Sequence, residues 1–230
     1  MSKTSKNVLG DQRGKIGKVV GKVVGGVQMY SAYTDAVANP RTEKQIAHRA
    51  RFAGTIALGK TMKGAINIGL RDKASTRRLN SPLNIFVNIN MPKVSYDKAT
   101  GTVSVDYEHV VIAEGDVPVV AFQGVSFTEP LSVIVSYTGN NDTPGARDDD
   151  SVYVVVYSPV LGHSIMGIGK RVAGSLTVAV PSEWGGEGVQ VWGFVRSSVE
   201  EVTTVEAYGV TLKPGECSRS SYVGSGTMME

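Results

Sequence analysis

The sequence predicts an α+β fold: an N-terminal β-hairpin and two helices followed by an antiparallel immunoglobulin-like β-sandwich. Three observations predict it. A β-branched stretch punctuated by glycine, GKIGKVVGKVVGGVQMYSAY, fills residues 14–33. Two helix starts follow, at Thr42 and at Ser81-Pro82. From Lys93 onward the hydrophobic period becomes two, with turn residues between short runs as far as residue 212. The 230 residues divide accordingly into an arm (1–13), a basic hairpin-plus-helices assembly region (14–92), the sandwich (93–212) and a second arm (213–230).

In the first segment two strands fit, 16–24 and 27–33. They turn at Gly25-Gly26, where two glycines supply the positive φ of a tight hairpin. The glycine spacing from Gly14 to Gly21 lacks a following GK[ST], and no strand–turn–helix unit surrounds it. Phosphate-loop and dinucleotide readings therefore fail. Helix one starts at Thr42, whose side chain is placed to accept from the N–H of Gln45 while Gln45 reaches back, a capping box. Ile46, Ala50, Ala53 and Ala57, with Phe52 and Ile56 beside them, form its expected apolar face, and Lys44, His48, Arg49 and Arg51 its basic side. The pattern runs out near Leu70. Helix two spans 82–90, capped by Ser81 with proline at the first helical position, and presents Leu83, Phe86, Val87 and Ile89.

Strands are then expected at 94–97 and 102–107 around a turn at 98–101, and at 117–122, 131–137, 151–157, 164–168, 175–180, 189–195 and 203–212. In 189–195 alternation puts Trp192 and Phe194 on one face, with Val191 and Val195 on the other. Trp192 is expected to fill the space between the two sheets.

Charge is divided along the chain. Residues 1–80 hold 16 Lys and Arg against 4 Asp and Glu, a net of +12. The remainder holds 8 against 17, a net of −9, and the two sum to the overall +3. Such a split suits an N-terminal third that meets an acidic surface, either nucleic acid or the acidic half of a neighbouring subunit. The residues expected to make assembly or phosphate contacts are Lys15, Lys18, Lys22, Arg41, Lys44, Arg49 and Arg51.

Catalytic chemistry is not called for. The sequence has no HExxH, GxSxG or CxxC, and its three histidines, His48, His109 and His163, fall on unrelated segments. The single Cys217 cannot form a disulfide within the chain. Asp148-Asp149-Asp150, with Asp142 nearby, matches no calcium-loop spacing. No catalytic, cofactor-binding or metal residue is assigned, and no cofactor is expected. Apolar runs stay below the roughly 18 residues of a membrane span. The lysine-bearing N-terminus has no continuous apolar stretch, so assembly in a cytoplasm is expected.

Three segments together, GKIGKVVG (14–21), NPRTEKQIAHRARF (39–52) and VQVWGFVRSS (189–198), resemble a family of unknown function abundant in Bacteroidota genomes and their phages. Residues 151–159, SVYVVVYSP, resemble its central strand, and the likeness runs over roughly residues 10–212. Where the family commonly has a Trp in the hairpin, this chain has Gly25-Gly26-Val27. The resemblance implies a Bacteroidota host or its phage, and a virion component for phage members; it brings no site residues.

The expected function is therefore that of a non-enzymatic structural protein of a bacteriophage virion. It would be an oligomeric ring or collar subunit of the neck or tail, or a capsid-associated protein, with copies of itself and other virion proteins as partners. Closed rings need one patch to meet a different one, and a +12 end facing a −9 body is such a pair. Two other readings are a bacterial binding or adhesion module and a DNA-binding accessory protein. The latter would work by nonspecific nucleic acid contact through the basic third, in the bacterial cytoplasm.

Overall fold

The computed structural model describes residues 2–4, 12–36, 39–76, 81–128, 131–139, 142–184, 188–198, 210–212 and 217–219. The chain begins with a small antiparallel sheet. Ser2–Thr4 (β1), Gly14–Ile16 (β2), Val19–Val24 (β3) and Val27–Ala32 (β4) lie in the order β1-β4-β3-β2. Gly25 (φ 57°) and Gly26 (φ 75°) both adopt the positive φ of a two-residue hairpin turn. The expected first strand, 16–24, is corrected: Gly17 (φ 61°) reverses the chain a second time, so β2 folds back on β3. The N-terminal arm is not free of structure either, because β1 pairs with β4.

A helical run follows in three pieces: Glu43–Thr61 (α1), Lys63–Gly69 (α2) and Arg71–Thr76 (α3). Thr42 is the N-cap of α1, as expected, but its side chain makes no capping bond. Its carbonyl accepts from Gln45 N (3.0 Å) and Ile46 N (2.9 Å), and the capping box is absent. The inward face of α1 also differs from the expected one. Thr55, Leu58 and Gly59 are buried, while Ile46, Phe52, Ala53 and Ala57 are exposed. The reason is steric. A Cβ at Gly59 would stand 2.6 Å from Leu83 Cδ1 and 2.9 Å from Phe86 Cδ1, so α1 crosses its neighbour where it has no side chain. That neighbour is Pro82–Asn90 (α4), at the expected residues, with Ser81 Oγ accepting from Asn84 N at 3.2 Å. Asn90, fully buried at its end, donates to Phe86 O and Val111 O and accepts from Val111 N. Each polar atom of its amide is thereby matched inside the protein, as burial requires.

The strands Val94–Tyr96 (β5) and Val103–Val105 (β6) form a hairpin against α1. Beyond it lie two four-stranded antiparallel sheets. One is built from Ala121–Thr128 (β7), Ser132–Thr138 (β8), Ser175–Ala179 (β11) and Cys217–Arg219 (β14), in the order β11-β8-β7-β14. The other has Ser151–Ser158 (β9), His163–Lys170 (β10), Val189–Arg196 (β12) and Val210–Leu212 (β13), in the order β10-β9-β12-β13. Among the described residues of 93–212 the only helices are single 3₁₀ turns. Two expectations shift here. The strand placed at 117–122 begins at 121 and runs to 128, and part of the expected C-terminal arm, 217–219, pairs with β7. Of the strand expected at 203–212, residues 203–209 lie outside the described residues.

The two sheets share one apolar core. Val152, Val154, Val156, Val191 and Val195 of the second sheet meet Phe122, Val125, Phe127, Val133 and Val135 of the first. Gly193 is required there, because a Cβ would come within 2.1 Å of the Phe122 ring. The opposite face of the second sheet is covered as well. Val155, Tyr157, Trp192 and Phe194 pack with Leu58, Met62, Ile66, Leu70 and Phe86 in a second core. The layers are thus helices, sheet, sheet, and β12 is buried on both faces.

This arrangement overturns two expectations. Trp192 and Phe194 do share a face, but Trp192 lies under the helices rather than between the sheets. The inter-sheet side of β12 holds Val191, Gly193 and Val195, leaving room for Phe122, and the aromatic bulk goes to the helical side. Region 14–92 is also not wholly separate from the sandwich, because its helices bury Leu58, Met62, Ile66 and Leu70 against it. Each such side chain contributes about 1.5–3 kcal/mol by leaving water. The alanine stripe contributes little to this; the leucines, isoleucine and methionine of the later turns do.

Candidate functional site

The seven cations expected to act together fall into three places. Lys15 and Lys22 share one face of the N-terminal sheet, because Lys15 pairs with Val20 in register and residues 20, 22 and 24 alternate onto the same side. Val20, Val24, Val27, Met29 and Ser31 complete that face. Lys15 Nζ sits 3.6 Å from the centre of the Tyr33 ring, a cation–π contact that holds the side chain across the sheet. Lys18 is exposed at the turn after β2, its carbonyl accepting from Tyr33 N at 2.8 Å. The other face is covered in part, where Gln12 lies over Gly21 and Gln28, and leaves Ile16 and Val19 exposed. Gln28 Nε2 donates to Gln12 O (2.7 Å), Gln12 N donates to Gln28 Oε1 (3.0 Å), and Tyr30 Oη donates to Gln12 Oε1 (3.0 Å).

The second group surrounds the start of α1. Arg41 and Lys44 are exposed, and Arg49 Nη2 donates to Asn39 Oδ1 at 2.6 Å. Arg51 stands apart from both groups. It is half-buried, turned toward α4, and its Nη2 donates to the carbonyl of Met91 at 3.0 Å. Its Nε is buried with no acceptor. The basic side expected for α1 is therefore split between an outward set and an inward residue.

Between α1 and α4 lies an open cleft of about 720 Å³. His48, Arg51, Phe52 and Ile56 line one side, and Leu83, Asn84, Val87, Asn88, Met91 and Pro92 the other. Sequence reasoning assigned His48 and Arg51 to a basic helix face and Phe52 to an apolar one. The cleft depends on how two helices cross at Gly59, which no single helix pattern reveals.

The acidic run 148–150 divides in the same way. Asp148 and Asp149 are exposed, while Asp150 is fully buried against Arg171. His109 Nδ1 lies 2.8 Å from Asp106 Oδ2 on an exposed turn, a local pair three residues apart. Among the described residues no three His, Cys, Asp or Glu side chains converge to hold a metal ion. No helix among them is long and apolar enough to cross a membrane.

Residues 11–208 match the model of a family of unknown function, DUF6266. No curated protein and no solved structure matches the chain. The match takes in the N-terminal sheet from β2, all four helices and the strands up to β12. On that extent of match, the chain belongs to DUF6266, a family whose function is unknown.

Proposed function

We propose that this chain is a structural subunit that assembles with copies of itself, and that the N-terminal sheet β1–β4 joins neighbouring copies. The setting proposed is a phage virion, as a ring or collar subunit of the neck or tail or a capsid-associated protein. One observation carries the reading: no described residue of 12–36 enters either apolar core. That sheet leaves Ile16, Val19 and Tyr33 more than a third exposed and presents Lys15 and Lys22 beside aliphatic side chains. Four strands need an apolar layer packed on one face to be stable by themselves, this chain's two cores supply none, and a neighbour with an acidic surface would cover it.

We also read the two large sheets as an immunoglobulin-like sandwich. The order β11-β8-β7 corresponds to strands E-B-A, and β10-β9-β12-β13 to C′-C-F-G, with β14 added beside A. Such bodies serve widely as rigid modules in assemblies, which suits a subunit whose chemistry is contact.

The test is native mass measurement and circular dichroism on the full chain and on a chain lacking residues 1–38. The full chain is expected to form a closed oligomer and the shortened one a folded monomer. A shortened chain that keeps the oligomer, or a monomeric full chain, would overturn the reading. Nonspecific nucleic acid contact is a second reading, favoured by Lys15 and Lys22 on one face. It requires duplex DNA binding that falls steeply with added salt and weakens in Lys15→Glu and Lys22→Glu.

A further inference from the structure

The cleft between α1 and α4 is independent of the N-terminal sheet, and its chemistry is one-sided. No acidic side chain lines it, whereas Arg51 provides a fixed cation and His48 a second basic group. Phe52 stands 44% exposed at its lip, against an apolar wall that includes Val87 and Met91. Asn84 and Asn88, one helical turn apart and both exposed, offer amide donors and acceptors along the rim. The volume of about 720 Å³ falls within the ordinary range of ligand pockets.

Arg51 carries the argument further. Met91 O anchors Nη2, but Nε is shut away from water with nothing to accept its proton. Buried donors are nearly always matched, so one left open on a guanidinium facing a cleft marks a place where an acceptor belongs. A carboxylate meeting the guanidinium side-on uses Nε together with a terminal nitrogen, so docking one requires the Arg51 side chain to turn Nε out into the cleft.

We propose that this cleft docks a peptide segment of a partner protein that carries a carboxylate beside an aromatic or long aliphatic side chain. The carboxylate meets Arg51, the apolar group lies against Phe52, Val87 and Met91, and the asparagines hold the peptide backbone. Charge complementarity selects this occupant, since a cationic segment would find no counter-charge and a purely apolar one would leave Arg51 as it is.

The test is fluorescence anisotropy with the full chain and two dye-labelled peptides, acetyl-Leu-Glu-Phe-Leu-amide and its Gln counterpart. The Glu peptide is expected to bind saturably and the Gln peptide at least about fivefold more weakly, a loss of one charge-assisted contact. Arg51→Gln is expected to remove that difference. Asn88→Asp adds a carboxylate at an exposed rim position and is expected to weaken the Glu peptide alone, which decides the matter if Arg51→Gln does not fold. Phe52→Ala is expected to weaken both peptides. Absence of saturable binding, equal binding of the two peptides, or binding unchanged by Asn88→Asp and Phe52→Ala would overturn the proposal, and none of these outcomes bears on assembly through the N-terminal sheet.

Discussion

Asp150 and Arg171 face each other in the interior, with Asp150 Oδ2 3.2 Å from both Nη2 and Nε of Arg171 and neither side chain exposed. The pair ties together chain segments that are distant in sequence. Arg171 Nη1 donates to Gly139 O (2.7 Å) after β8, and Nη2 to Pro118 O before β7. Asp150 accepts from Arg147 N (3.0 Å) through Oδ2 and from Ser198 N (3.2 Å), just beyond β12, through Oδ1. Consecutive strands change from one large sheet to the other between β8 and β9 and between β10 and β11, the two places that the pair connects. A buried ion pair is tolerated there because its remaining donors and acceptors are matched by backbone groups.

Removing one member leaves the other charged and buried. Arg171→Met and Asp150→Ala are each expected to cost about 3–5 kcal/mol in urea unfolding. The double variant is expected to lose markedly less than the sum, because the cycle removes the uncompensated charge. Additive losses would show that the two side chains do not act as a pair.

Gly59 and Gly64 offer a contrast within one helical run. A Cβ at Gly59 meets Leu83 and the fully buried Phe86 ring, whereas one at Gly64 meets nothing within 4 Å. Alanine improves helix propensity at both sites by up to about 1 kcal/mol. Gly64→Ala is therefore expected to stabilise by about 0.4–1 kcal/mol. Gly59→Ala is expected to destabilise by about 1–2 kcal/mol once overpacking outweighs that gain. Thermal unfolding of the two variants reads the opposite signs.

Trp192 is wholly buried, and its Nε1–H donates to Tyr107 O at 3.3 Å. Trp192→Ala is expected to cost about 3–5 kcal/mol through the cavity it opens. The cavity lies on the helical side, so the same substitution is expected to raise amide exchange in α2 more than in β8. Equal protection in both would contradict the layer order.

How much of this was legible in the sequence depends on the range of the physics. Local signals carried well: the glycine pair at 25–26, the Ser81-Pro82 cap and the strand expected at 151–157 each lie where those residues place them. Failures arose where a second element decides. Period-two alternation in 189–195 identifies two faces but not what covers each, so it does not tell the inter-sheet core from the helix-covered one that holds Trp192. The α1 face was misplaced because Gly59 and Thr55, weakly apolar by type, point inward to admit a close crossing, while Ile46 and Phe52 stay outside. Arg51 looks like its basic neighbours in sequence, and only the position of Met91 O, forty residues away, turns it into the cleft. Lys15 and Lys22 could have been placed on one face had the turn at Gly17 been recognised.

Tyr157 gives an alkaline signature to the core beneath the helices. Burial pushes its phenol up to about 12, and the neighbouring Tyr107, with ring centres 5.9 Å apart, adds to the effect. Tyrosines of the unfolded chain ionise near 10. Below about pH 10 both states keep the proton, and the contribution of the buried neutral phenol is fully present. Between about pH 10 and 12 the unfolded chain releases its proton while folded Tyr157 keeps it, so the folded state binds more protons and stability falls as pH rises. Lysines titrate in the same range, which is why the variant is compared with the parent rather than read alone. Tyr157→Phe removes this one titration and is expected to lose stability less steeply from pH 10 to 12 in urea unfolding. Parallel curves for the two proteins would mean that Tyr157 ionises as freely in the folded state as in the unfolded chain.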